Sequence, residues 1–354
     1  MAPYFLLIFI VGLFASISRI KNSRFFNFPN TSVLIILSLF AGLRSSEVGT
    51  DTGAYVSSFS KIKNVDIFDL STSRESGYLL FEKAIQRLHV DYWVMLFFIA
   101  LVIVYLNLKV ISALSYNVGL STFLFIALGS YLFLFNGARQ GLASGFYGLA
   151  VLNVRKENLQ RYLLWIVIAF TFHRTVLIMV PFYFLIRQHY SLKNLFLTVF
   201  STLLIMGFLN ELLRFFPEAI TEKYLAYENR GARGGELLTL FYVALPIVFV
   251  YVRRLIRAEL IADYDIYLNM TILNGMIYLY VYLFGLDVNI LRVTLYLSLS
   301  YLLLWPIIFK SVAFFRSLAG VLVFYIIHLM FFYVYLDRMS NLVPYQLNNT
   351  IINF

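Results

Sequence analysis

PYFLLIFIVGLFASIS, residues 3–18, decides how the rest of the chain is read. The run holds no charged residue, and Arg19, Lys21 and Arg24 follow it. A helix needs about 20 mostly apolar residues to cross the hydrocarbon core of a bilayer. A secretory leader places its basic residues ahead of the apolar stretch, the reverse of the order here. The pattern therefore predicts a retained membrane helix with its N-terminus outside the cell. Similar runs recur near 28–43, 92–108, 118–135, 140–154, 161–172, 174–186, 194–210, 237–252, 267–284, 293–309 and 318–336. The expected fold is all-α: a polytopic membrane helical bundle of about 11–12 transmembrane or half-membrane helices. Residues 1–354 form a single integral-membrane domain in this reading, with outer loops near 44–91 and 211–236.

Composition agrees. The 354 residues are 61% hydrophobic and 13% charged, whereas a soluble domain is about half apolar and about a quarter charged. With no cysteine, disulfides, thiolate nucleophiles and iron–sulfur clusters are excluded. Four histidines, at 89, 173, 189 and 328, leave little for a multi-histidine centre. No metal and no cofactor is expected. The net charge of +10 would point to nucleic acid in a soluble protein. Here its distribution sets orientation instead. Placing 19–27, 109–117, 155–161, 187–193, 253–266 and 310–317 inside collects 14 Lys/Arg and 4 Asp/Glu, so the whole excess lies on one side. That is the positive-inside bias, and no nucleic-acid partner is expected.

Residues 161–186 allow one long helix or two short ones. Arg155, Lys156 and Arg161 precede the stretch, and Arg187 and Lys193 follow it. Basic flanks at both ends favour a hairpin with Phe172-His173-Arg174 at its outer tip. An arginine at the centre of a lone span would cost about 2.5–3.5 kcal/mol on insertion scales.

The outer side carries the candidate chemistry. Arg44, Arg139, Arg174, Arg292 and Arg338 stand at outer helix ends, most without an acidic neighbour in sequence; Arg338 follows Asp337, and Arg292 comes five residues after Asp287. Guanidinium forks match phosphate oxygens, so several converging would form a pyrophosphate site. A single one would merely snorkel to the headgroups. LRSSEVGTDTGAY, 43–55, places Arg44, Glu47, Asp51 and Tyr55 in one Gly- and Thr-containing turn. Such a turn suits phosphate or sugar and offers carboxylates as acid or base, although many loops share that composition. ESGYLLFEKAIQRLHVDYW, 75–93, spaces Tyr78, Phe81, Ile85 and Leu88 as one face of an amphipathic helix. Glu75, Glu82, Lys83 and Arg87 are expected off that face. In FNGARQGLASGFYGLA, 135–150, Gly137, Gly141, Gly145 and Gly148 read as a helix-packing stripe. Arg139 and Gln140 are that segment's functional candidates, and His173 is the histidine best placed for chemistry. Many of the 26 tyrosines are expected in interfacial belts, and such side chains also stack on sugar rings. No Walker A loop or dinucleotide fingerprint is present, so energy must arrive with the substrate or from a gradient.

Four stretches together resemble the EpsG family of Wzy-type polymerases of bacterial exopolysaccharide, capsule and O-antigen. They are RSSEVGTDTGAY (44–55), ARQGLASGF (138–146), AFTFHRTVLIMVPFYF (169–184) and LVPYQ (342–346). The resemblance implies a glycosyltransferase of the bacterial plasma (inner) membrane whose active site faces the periplasm or outside. It would move the growing glycan from undecaprenyl pyrophosphate onto the non-reducing sugar of the next lipid-linked repeat unit. Membrane lipid, and a flippase and chain-length regulator of the same pathway, are the implied partners. On that footing Arg139, Arg174 and Arg292 hold the pyrophosphate. Asp51, Glu47 or Glu75 takes the proton from the attacking hydroxyl, unless His173 does. Arg44 and Tyr55 position the acceptor or headgroup. Arg230, Gly231, Arg233, Gly234 and Gly235 form either a lid or a plain loop. The rival reading is a flippase or transporter of the same lipid-linked glycan, which would place charges at mid-membrane or show internal repeats. A membrane acyltransferase is a weaker rival, having no second motif to support it.

Overall fold

A computed structural model describes residues 1–17, 28–62, 75–208, 236–286 and 288–348. Arg19, Lys21, Arg24, Asp287 and the glycine-rich stretch around Arg230–Gly235 lie outside the described residues.

The described residues form helices and no β-strand. In order they are α1 (Ala2–Ile17), α2 (Phe28–Gly42), α3 (Thr52–Lys61), α4 (Ser76–Gln86), α5 (Tyr92–Leu114), α6 (Val118–Ala127), α7 (Phe133–Asn136) and α8 (Ala138–Val151). Then come α9 (Leu159–Phe172), a 3₁₀ turn (Arg174–Ile178), α10 (Met179–Ile186) and α11 (Leu192–Gly207). The last third holds α12 (Glu236–Val252), α13 (Ile261–Leu283), a long 3₁₀ segment (Val288–Leu297), α14 (Leu299–Ser311) and α15 (Leu318–Arg338). Among the described residues, five stretches are long and apolar enough to cross a membrane: Tyr92–Leu114, Leu238–Leu255, Ala258–Leu283, Ile290–Ser311 and Leu318–Arg338. Shorter apolar helices complete the bundle. Phe196, Ile247, Leu318 and Met330 stand exposed on its flank, a surface suited to hydrocarbon and not to water.

Local chemistry sets the boundaries. Asn117, Asn158, Ser191 and Ser317 each accept a backbone N–H from the first turn of α6, α9, α11 and α15, satisfying donors that a helix start leaves open. The expected span 118–135 breaks instead after Ala127, because Gly129 turns the chain at φ +79°. A Cβ there would meet the Tyr335 ring. The 161–186 stretch is a hairpin: α9 ends at Phe172, His173 is extended, and the chain returns through the 3₁₀ turn and α10. Tyr162 donates to the Met179 carbonyl at 2.6 Å and packs on Tyr183, holding the two arms together.

Gly141, Gly145 and Gly148 let α8 lie against Ile103, Leu106 and Val110 of α5. Part of the tyrosine set lies in the core. Tyr4, Tyr131, Tyr147, Tyr162, Tyr183, Tyr264 and Tyr296 are fully buried. The hydroxyl of Tyr131 donates to the Leu37 carbonyl and that of Tyr264 to Phe249. A phenol thereby fills the core while its polar tip finds a helix carbonyl.

At the basic end, α13 begins earlier than the apolar run predicts and buries Asp263, in its first turn, and Asp265. Asp263 accepts from Arg155 and Tyr116, and Asp265 from both Nε and Nη2 of Arg253. Buried carboxylates thus fasten three loops of that end.

Candidate functional site

At the opposite end, three segments far apart in sequence meet at Glu75. This residue immediately precedes α4, its backbone extended and its side chain largely buried. One carboxylate oxygen lies 2.7 Å from Nη1 of Arg139, the second residue of α8. The other lies 2.9 Å from Nδ1 of His173, at the hairpin tip. Burial alone would raise the Glu75 pKa, but the His173 hydrogen bond and the Arg139 charge overcome it and hold the group at about 2. Glu75 is therefore a carboxylate at any physiological pH and accepts only. The Nδ1 of His173 must carry the shared hydrogen, which leaves Nε2 as the free ring nitrogen. The Arg139 guanidinium also lies over the Tyr78 ring at 5.9 Å.

The N-terminus of α8 ties this group to a second one. The hydroxyl of Tyr55, buried in α3, accepts the backbone N–H of Ala138 at 3.1 Å. Gln140 donates to the Arg292 carbonyl at 2.6 Å. Nη1 of Arg292 is 3.8 Å from Asp51, itself at the start of α3, where Thr50 donates to its other oxygen at 3.1 Å. That spacing is an ion pair without a hydrogen bond, so the Arg292 donors remain available. Arg174 is half-buried beside His173, and no carboxylate among the described residues pairs with it.

The remaining candidates lie elsewhere. Glu47 is exposed, only its backbone N–H bonding to Ser45. Arg44 is 1% exposed. Its guanidinium stacks on Phe135 at 4.2 Å and donates to the Ala41 carbonyl and to Thr52. The backbone beside it pairs with the chain terminus, through the Arg44–Leu347 bridge and the Ser45 N–H to Gln346 carbonyl bond of 2.8 Å. Arg44 is enclosed by protein and presents no free edge.

The predicted amphipathic helix forms as α4, with a different buried face. Tyr78, Leu79, Glu82 and Ile85 point inward, Phe81 is half-buried and Leu88 is exposed. Glu82 is thus on the buried side, beside Tyr78. Asn136, which sequence reasoning passes over, accepts the Thr50 N–H at 2.8 Å and donates to the Ser340 carbonyl at 2.7 Å. It joins the 44–55 turn to the end of α15. Its only sequence signal is its place beside the glycine before α8.

Next to Arg292 opens a cavity of about 590 Å³ with polar walls from Thr50, Ser130, Asn136, Asn274, Ser298 and Arg338. Glu75, Arg139 and His173 are not among its wall residues; Arg292 is, and its carbonyl accepts from Gln140, the neighbour of Arg139 in α8. No group of three potential metal ligands occurs among the described residues.

Fold and site define a polytopic all-helical membrane protein with a charged, partly enclosed site at one end. The EpsG family model matches residues 27–347, and the chain belongs to the EpsG family. That family is associated with Wzy-type polymerases, which makes this a membrane protein of polysaccharide synthesis. Comparison with curated proteins and with solved structures finds no match.

Proposed function

We propose that the protein polymerises oligosaccharide repeat units carried on undecaprenyl pyrophosphate, at the outer face of the bacterial plasma membrane. The observation that carries this reading is Glu75 shared between Arg139 and His173, with Arg174 next to His173 in the chain and Arg292 tied to α8 through Gln140, neither arginine hydrogen-bonded to a carboxylate among the described residues. In the reaction, a hydroxyl of the acceptor's non-reducing sugar attacks the anomeric carbon of the donor glycan. The new glycosidic C–O bond forms as the C–O bond to pyrophosphate breaks, and the lipid pyrophosphate departs as an anion. Nε2 of His173 takes the hydroxyl proton. Glu75 fixes the ring and balances the imidazolium, the arrangement familiar from triads in which a buried carboxylate orients a histidine. At a pKa of about 2 Glu75 is a poor base itself, which favours His173 for the proton and leaves Glu75 a positioning role. Arg174 and Arg292 bind the departing phosphates, where charge develops. Asp51 orients Arg292, and Arg44 supports the fold.

Deletion of the gene in the native host tests the reading. Single lipid-linked repeat units should still reach the outer leaflet while the polymer ladder disappears. Accumulation confined to the inner leaflet would replace polymerisation with export.

A further inference from the structure

Two cavities run end to end along one side of the bundle. The polar cavity shares the wall residues Leu128, Tyr242 and Phe331 with an apolar slot of about 210 Å³. Leu245 of α12, Trp305 of α14 and Phe324 and Ile327 of α15 carry the slot onward. Along α15 the walls extend from Arg338 to Val323, which at 1.5 Å per residue is about 22 Å of depth. That is most of a hydrocarbon core about 30 Å thick. Arg292 and Arg338 stand at the polar end. Their nearest carboxylates, Asp51 and Asp337, are each 3.8 Å away, beyond hydrogen-bond reach. In the slot, His328 has its Nδ1–H taken up by the Phe324 carbonyl at 2.8 Å, and the other walls are aromatic or aliphatic.

The two spans that flank the track are the least enclosed by protein. Only 17% of the α12 span and 22% of the α15 span are buried, against 56–72% for the other three long spans. Between α12 and α15, at the junction of cavity and slot, Phe241 and Phe331 stack at 5.1 Å.

We propose that this track holds one anionic lipid, its phosphate-bearing head against Arg292 and Arg338 and its single polyprenyl chain in the slot, entered from the bilayer between α12 and α15. A wide polar chamber above a slot about a third its volume suits a bulky head on one chain. A diacyl phospholipid has the opposite proportion. The polyprenyl identity of the chain rests on the functional reading above; the shape and polarity of the track do not.

The test is photolabelling of the full-length protein in nanodiscs with polyprenyl phosphate bearing a diazirine on its chain. Label should map to peptides around Phe241–Leu245 and Phe324–Phe331, and fall about tenfold in Leu245→Trp. Ile327→Trp, at a half-exposed position, fills the slot from its edge and gives the same readout where Leu245→Trp fails to fold. Unlabelled polyprenyl phosphate should displace the probe, and phosphatidylglycerol at equal concentration should not. Equal displacement by phosphatidylglycerol, or label unchanged in both variants, would overturn the proposal. Label retained in the slot of a protein that makes no polymer would uphold the track and remove only the polymerase reading.

Discussion

Nδ1 of His173 lies 2.9 Å from the Glu75 carboxylate, joining positions 98 residues apart. Because the carboxylate can only accept, the contact fixes the imidazole tautomer and leaves Nε2 as the ring nitrogen not engaged by Glu75. His173→Ala, at normal protein levels, should lower polymer synthesis by about 10²–10⁴-fold, the usual contribution of a positioned general base. Glu75→Gln should cost less, and the double variant should be little worse than His173→Ala alone, since coupled groups are not additive. Initial rates of ladder formation check all three.

Acid should open this site before it unfolds the bundle. Glu75 drops from its ordinary 4.5 to about 2 in the folded protein. A depressed carboxylate stabilises the fold fully above 4.5, and that contribution is lost as pH falls from 4.5 toward 2. The shift sets an upper limit of about 3 kcal/mol, reduced by the partial exposure of Arg139 and His173. Hydrogen exchange in α4 should accelerate over that window in the wild type and show no such pH step in Glu75→Gln.

The two arginines assigned to the departing phosphates should behave as binding groups. Arg174→Ala and Arg292→Ala should each raise the KM for lipid-linked donor by about 10–100-fold, the range expected for a charged hydrogen bond. Arg292→Lys should recover only part, because the planar fork is lost. Donor titrations with reconstituted protein separate KM from kcat.

Arg44→Ala should act on stability alone. Its guanidinium is enclosed between Phe135, Thr52 and the Ala41 carbonyl, so removal leaves a cavity beneath the 44–55 turn. Thermal stability should fall by several degrees, while the protein that folds keeps its donor KM. A similar split is expected for Gly145→Leu, which drives a side chain into Leu106 and should cost about 1–3 kcal/mol as overpacking.

The sequence makes plain what depends on local pattern. Apolar runs announce the spans, Gly141, Gly145 and Gly148 announce the α5–α8 contact, and basic flanks announce the hairpin with His173 at its tip. Contacts between distant segments leave no such trace. Glu75 and Glu47 are both carboxylates in polar outer stretches, and only the folded positions of α4 and α8 bring one of them to Arg139. Arg44 and Arg292 read alike as arginines near outer helix ends, yet Phe135 and the returning chain at Gln346–Leu347 enclose the first. Glu82 misleads for another reason: its helical period places it beside Tyr78 and Ile85, and its charge alone argues for the opposite face.

The most direct measurement is polymer formation by purified protein in nanodiscs supplied with synthetic undecaprenyl-pyrophosphate-linked repeat units. The wild type should build a ladder from single units, and His173→Ala should bind donor with unchanged affinity while forming no ladder above about 1% of the wild-type rate. A full ladder from His173→Ala, or from the wild type only when a nucleotide sugar is added, would contradict the assignment of this site.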